Sequence, residues 1–221
     1  MEKKFKLAPS ILSADFSNLQ SALNICKKGG ADWVHIDVMD NQFVPNLTVG
    51  PLVVKALRNK TEKFLDVHMM VIQPEKLVEP FARAGADSIT FHIEAAEDPA
   101  SIIDLIKSCG CKAGISIKPD TPLTSIYPFL GEIDIILIMT VEPGFGGQGY
   151  LKGSNDRIRQ VRDYLDENCL TNVLIEVDGG VKLHNASEVI KSGANILVAG
   201  SEVFKAEDPV QTIKRFYKLA E

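Results

Sequence analysis

Short runs of β-branched and apolar residues alternate, from one end of the chain to the other, with stretches whose apolar positions recur at i, i+3 and i+4. The first kind reads as strands: LAPSI (7–11), WVHIDV (33–38), FLDVHM (64–69), SITFH (88–92), KAGISI (112–117), DIILIM (134–139), VLIEV (173–177) and ILVA (196–199). The second kind, seen in NLQSALNICKKG and DPASIIDLIKSCG, reads as helices, several of which start after Asp or Pro and stop at Gly. A motif recurs within this alternation. GGADWVHI, AGADSITFHI and SGANILVAG each carry a Gly-Ala-Asp/Asn turn into a strand, at Gly30, Gly85 and Gly193. The spacings are near multiples of about 27 residues, one eighth of the chain and the length of one strand–helix unit. Eight such units predict an α/β fold, a single-domain (β/α)8 barrel over residues 1–221, with a doubly wound open sheet as the alternative. Neither a linker nor a low-complexity segment interrupts the pattern.

Composition narrows the function. Hydrophobic residues make up 45 % of the 221, enough for a substantial core. The net charge of -5 is spread along the chain, and no basic tail or Arg-rich arm points to nucleic acid. An anionic ligand stays open, because backbone donors bind anions locally. The start, MEKKFKLAPSIL, lacks the pattern of a signal peptide, and no apolar run is long enough to span a bilayer. A cytoplasmic location with no membrane partner is expected. The cysteines Cys26, Cys109, Cys111 and Cys169 fit reduced thiols, since a lone C-x-C is weak evidence of a metal site.

The unusual positions lie at strand ends. Side chains alternate faces along a strand, so Trp33, His35, Asp37 and Met39 share one side. Asp66 and His68 end the third strand together, and Glu176 and Asp178 end the seventh. Burying such groups unpaired is costly. Two His and two Asp converging at the C-terminal mouth of a barrel are the usual means of holding a divalent cation. We therefore expect His35, Asp37, His68 and Asp178 as metal ligands. His92 ends the fourth strand and reads equally as a residue lining the same mouth or as a supporting or structural one, and His184 opens the helix after the seventh as a surface residue. Met39, Met70 and Met139 end strands two, three and six, and read equally as an apolar wall for the substrate or as core.

Glycines mark the other half of the mouth. VEPGFGGQG (141–149) follows the sixth strand, DGG (178–180) the seventh and AGS (199–201) the eighth. Loops after strands seven and eight of a barrel often bind phosphate through backbone N–H groups. Neither a P-loop nor a dinucleotide fingerprint occurs, so a small phosphorylated molecule is expected rather than a nucleotide.

APSILSADF, HIDVMD with FVPNLTVGP, DVHMMV, AGAD with TFHIE, MTVEPGFGGQ, IEVDGGV and VAGSEVF, in that order, resemble the ribulose-phosphate 3-epimerase family over nearly the whole chain. The resemblance implies a metal-dependent barrel enzyme that epimerises C3 of ribulose 5-phosphate to give xylulose 5-phosphate. It implies one divalent ion per subunit (Zn, Fe(II), Mn or Co) and a homodimer or larger assembly. Carried over residue by residue, it makes Asp37 and Asp178 the catalytic acid/base pair as well as ligands with His35 and His68. It makes Ser10 a substrate contact. It assigns phosphate to Gly144, Phe145, Gly146, Gly147, Gly179, Gly180, Gly200 and Ser201. The chain departs from the family pattern at Asn41 and Gln42 in DNQFVPN, at Asp120 in KPDTP and at GY after GGQ. Those departures open a second reading, a 3-epimerase of a hexulose 6-phosphate such as allulose 6-phosphate. A barrel decarboxylase or aldolase would want a lysine near HIDVMD, which has none, and Lys118 lacks a partner motif. A non-enzymatic metal-binding barrel would bind metal without turning over a sugar phosphate.

Overall fold

A computed structural model describes residues 5–219; the first four residues of the charged start and both ends of the 1–221 range lie outside them. The strands are β1 Lys6–Ala8, β2 Trp33–Met39, β3 Phe64–Met70, β4 Ser88–His92, β5 Lys112–Ile117, β6 Ile135–Met139, β7 Leu174–Asp178 and β8 Ile196–Val198. They form one parallel sheet in the order β1-β8-β7-β6-β5-β4-β3-β2. The remaining seam closes where Asp32 N–H donates to Leu7 O (3.1 Å) and His35 N–H to Pro9 O (3.1 Å). The sheet is thus a barrel with helices outside: α1 Leu19–Gly29, α2 Pro51–Arg58, α3 Glu75–Ala84, α4 Pro99–Ser108, α5 Ser154–Glu167, α6 Ala186–Lys191, α7 Ser201–Phe204 and α8 Pro209–Lys218.

Two segments differ from the sequence pattern. The first strand stops at Ala8 rather than Ile11, because Pro9 offers no N–H and Ser10 caps a 3-10 turn over Ile11–Ser13. The fifth unit has no α-helix. Leu123–Ser125 and Tyr127–Phe129 are 3-10 turns, and Pro122 and Pro128 remove N–H groups that a longer helix needs. His184 also precedes α6 instead of opening it and is exposed.

The recurring Gly-Ala-Asp/Asn turn has a physical explanation. Gly30 and Gly85 end helices in the left-handed conformation, at φ 79° and 103°, and Gly193 follows α6 at φ 113°. The Asp or Asn two residues later then caps the preceding strand. Leu7 N–H donates to Asp32 Oδ2 (3.1 Å), Leu65 N–H to Asp87 Oδ2 (2.6 Å) and Ile175 N–H to Asn195 Oδ1 (2.9 Å). A fourth copy lies before β6, where Ala113 N–H donates to Asp134 Oδ2 (2.9 Å). It lacks the glycine because no helix has to end there. The device therefore recurs every second strand, which accounts for the even spacing of the motif.

Inside the barrel, the N-terminal floor is apolar. Trp33 stacks on Phe64 with ring centroids 4.1 Å apart, among Ala8, Ile135, Leu174, Ile196 and Val198. The larger core lies between strands and helices, where Phe81, Phe91 and Phe216 are fully buried.

Candidate active site

Strand register sets the rows of side chains above that floor. Across β2 and β3, His35 pairs with Asp66, Asp37 with His68 and Met39 with Met70. On the far wall, Met139 of β6 pairs with Asp178 of β7. Two hydroxyls hold the carboxylate-bearing strand ends. Thr48 Oγ1 donates to Asp37 O (2.6 Å) and accepts from Met39 N–H (3.0 Å). The Thr140 hydroxyl serves the carbonyls of Asp178 and Gly179.

These rows bring His35, Asp37, His68 and Asp178 together, with one ligand atom from each lying within 4.8 Å of all the others. His35 Nε2 is 3.4 Å from Asp37 Oδ1 and 4.0 Å from Asp178 Oδ2. His68 Nδ1 is 3.4 Å and 3.9 Å from the same two oxygens. Both nitrogens are buried and neither has a hydrogen-bond partner among the described residues. Bare buried nitrogens cost stability unless something meets them. Two imidazole nitrogens and two carboxylate oxygens aimed at one centre are the donor set that a divalent cation takes, with ligand atoms roughly 3–4 Å apart. The residues fit such an ion. Burial works against ionisation of Asp37, but His35 and His68 outweigh it and hold the carboxyl well below the usual range. Burial, and after it the charge of Asp37, pushes Asp178 upward. Burial disfavours the His35 imidazolium, yet Asp37 and Asp66 raise its pKa well above the ordinary value.

Behind the cluster is a second tier of polar groups. Asp66 sits one row deeper than the sequence pattern suggests, level with His35 rather than at the strand end. Its Oδ2 is 2.6 Å from His35 Nδ1, and its Oδ1 accepts from Ser88 Oγ at 2.6 Å. Glu176, fully buried with Oε1 3.5 Å from His35 Nδ1, is pushed far up by burial and by Asp66. On the other side, His68 Nε2 meets His92 Nε2 at 2.9 Å, and His92 Nδ1 meets Glu94 Oε2 at 3.1 Å. Burial lowers His92 to about 4. Ser10 Oγ donates to Asp37 Oδ2 at 2.6 Å and accepts from Leu12 N–H at 3.2 Å.

One cavity opens over this cluster. Asp37, Asp178, Ser10, the three methionines Met39, Met70 and Met139, Gly144–Gly147, Gly179, Gly180, Gly200 and Ser201 all line it, while His35 and His68 lie buried beneath. Leu12, Ser13, Glu142 and Gln148 also line it and went unread in the sequence; the PSILS and GGQ segments that carry Leu12, Ser13 and Gln148 were the available signal. The Asp-Gly-Gly turn is glycine for a steric reason. Gly179 and Gly180 have φ 117° and 66°, and a Cβ there would meet Val141 at 2.5 Å and the Tyr150 backbone at 2.4 Å. The 143–148 loop is fastened by Asn46 Nδ2, which donates to Gly144 O at 2.8 Å, and by Gln148 Nε2, which donates to Glu142 O at 2.7 Å and Phe145 O at 2.9 Å.

The fold and this mouth place the chain among (β/α)8 barrel proteins. Over its full length it superposes on a crystal structure of 3-hexulose-6-phosphate synthase with a TM-score of 0.71 at 20 % identity, covering 100 % of both chains. Over 98 % of its length, and 97 % of the other chain, it superposes on KGPDC from Streptococcus mutans at 0.74 and 14 % identity. Sequence resolves the family within that fold. The profile of the Ribulose-phosphate 3 epimerase family matches residues 6–204. The ribulose-phosphate 3-epimerase of Buchnera aphidicola subsp. Schizaphis graminum is 48 % identical over 98 % of this chain and 95 % of its own length. That of Bacillus subtilis is 47 % identical over 94 % and 96 %. The chain belongs to the ribulose-phosphate 3-epimerase family.

Proposed function

We propose that this protein interconverts ribulose 5-phosphate and xylulose 5-phosphate by epimerisation at C3. The observation that carries the reading is the pair of carboxylates, Asp37 from β2 and Asp178 from β7, set around one centre with two bare imidazole nitrogens. Inverting C3 needs a base on one face of the substrate and an acid on the other. Asp37 and Asp178 arise from different strands and both line the cavity, as that chemistry requires. One carboxylate takes the C3 proton, leaving an enediolate, and the other returns a proton from the opposite side. The reaction is reversible, so each serves in both roles. Ser10 holds Asp37 Oδ2 through its hydroxyl and leaves Oδ1 towards the centre. The methionine wall limits water, and so stray protonation, at the reacting carbon.

His35, Asp37, His68 and Asp178 would hold one divalent ion per subunit, Zn, Fe(II), Mn or Co. Such an ion supplies Lewis-acid stabilisation of negative charge on the substrate's carbonyl oxygen. The glycine backbone after β6, β7 and β8 lines the other end of the cavity and supports phosphate there. The same reading makes the protein a single barrel domain, a homo-oligomer and cytoplasmic; among the described residues no helix is long and apolar enough to cross a membrane.

A hexulose 6-phosphate is the second reading, from Asn41, Gln42 and Asp120. All three are exposed and none lines the cavity, which favours the pentulose phosphate. The test is C3 epimerisation of ribulose 5-phosphate beside allulose 6-phosphate, before and after chelation. We expect pentulose turnover to fall about a hundredfold or more on chelation and to return with Zn²⁺, Mn²⁺, Co²⁺ or Fe²⁺. Turnover that survives full metal removal overturns the metal reading, and turnover of the hexulose phosphate alone moves the substrate.

A further inference from the structure

We infer that His92 and Glu94 are positioning residues that fix the protonation of His68, so that its Nδ1 faces the site bare. The inference rests on the metal reading above. His68 Nε2 and His92 Nε2 are 2.9 Å apart and both rings are fully buried. One hydrogen lies between them, because two would collide and none would set lone pair against lone pair. If it belonged to His92 Nε2, a neutral His68 would carry its hydrogen on Nδ1, aimed at Asp37 and Asp178, and could not hold a cation through that atom. A neutral His92 would also turn a bare Nδ1 towards Glu94 Oε2 at 3.1 Å, opposing a lone pair to a carboxylate. Placed instead on His68 Nε2, the hydrogen satisfies every contact. His92 Nδ1–H donates to Glu94, His92 Nε2 accepts from His68, and His68 Nδ1 is left bare.

Glu94 is held in place to impose this order. Its Oε1 accepts from Lys118 N–H at 2.8 Å and from Thr121 Oγ1 at 2.5 Å, leaving Oε2 for His92. Phe43 covers His92 with ring centroids 4.7 Å apart, and Lys118 Nζ sits 4.1 Å above the Phe43 ring. The chain of contacts therefore runs from the candidate ligand to the loop after β5, through two residues that donate nothing to the site themselves. A carboxylate behind a metal-binding imidazole is a general way to set its tautomer; here a second imidazole transmits it.

The direct test is a long-range ¹H–¹⁵N spectrum of ¹⁵N-histidine-labelled, Zn²⁺-loaded protein. With four histidines in the chain, the signals are assignable by single substitutions. We expect His92 with its hydrogen on Nδ1 and His68 with its hydrogen on Nε2; a hydrogen on His92 Nε2 overturns the inference. Zn²⁺ affinity, measured against a chromogenic chelator, is the second readout. His92→Leu should bind Zn²⁺ about 10–100-fold more weakly. His92→Gln, which keeps an acceptor for His68 and a donor for Glu94, should recover most of that loss. Equal affinity of wild type, His92→Leu and His92→Gln overturns the inference and leaves the metal site standing. No Zn²⁺ binding by the wild type removes both. If His92→Leu does not fold, the wild-type spectrum decides.

Discussion

The two ends of the barrel are built on opposite principles. At the N-terminal end one device recurs four times: Asp32, Asp87, Asp134 and Asn195 each accept the backbone N–H of the preceding strand. At the C-terminal end the groups differ from strand to strand. β2 gives an imidazole, a carboxylate and a methionine, β3 an imidazole and a methionine, β7 a carboxylate and β6 a methionine. The difference follows from what each end must satisfy. Every second strand starts with the same orphan N–H, so one solution serves all four. The mouth converges on a single centre, where each strand stands at a different angle and must supply a different atom. One uniform cap at one end and a mixed set of groups at the other separate stability from chemistry.

The sharpest way to break that separation is Asp37→Asn or Asp178→Asn. Each should lower epimerase turnover by about a thousandfold or more with a thermal midpoint close to that of the parent. A variant within tenfold of the parent rate would end the two-carboxylate scheme. Next in size is Trp33→Ala in the floor. It should cost about 3–5 kcal/mol in urea unfolding while the protein still folded turns over at the parent rate; a large fall in kcat would show that the floor reaches the chemistry. Asn195→Ala leaves the Ile175 N–H without its acceptor and should cost about 1–3 kcal/mol, with Asn195→Asp restoring most of it and kcat unchanged in both. A smaller cost at Asn195 than at a control surface site would mean that the repeated cap is ornamental.

The smallest effect probes the C-terminal end through pH. Burial works to raise the Glu94 carboxyl, but hydrogen bonds from His92, Thr121 and Lys118 outweigh it and hold it at about 2, against an ordinary 4.5. The fold thus favours the ionised form. Its contribution is fully present above about 4.5 and is lost as the pH falls towards 2. Unfolding of metal-free protein between pH 5 and 2 should therefore steepen for the parent relative to Glu94→Gln. Parallel curves would mean that Glu94 adds no pH-dependent stability.

Much of this was legible in the chain itself. Period-two alternation gave the inward set Trp33, His35, Asp37 and Met39, and the Gly-Ala-Asp/Asn motif exposed three of the four copies of the cap. The fourth, at Asp134, was hidden because the segment before it is not a helix and needs no glycine. The proline-bounded turns between β5 and β6 could be suspected from Pro122 and Pro128 but not separated from a short helix by periodicity. Glu94 stood in the TFHIE segment without a role: it lies beyond the end of β4, and only the loop after β5 brings Lys118 and Thr121 against it.

The sequence by itself determined which side chains face the barrel axis, because alternation along a strand is a property of that strand alone. Only the tertiary structure decided which of them lie level. Asp66 follows the same alternation as His68, yet it serves His35, because β2 and β3 pair with His35 opposite Asp66 and Asp37 opposite His68. That stagger is imposed by closing eight tilted strands into a cylinder, a condition on all of them together that no single strand encodes.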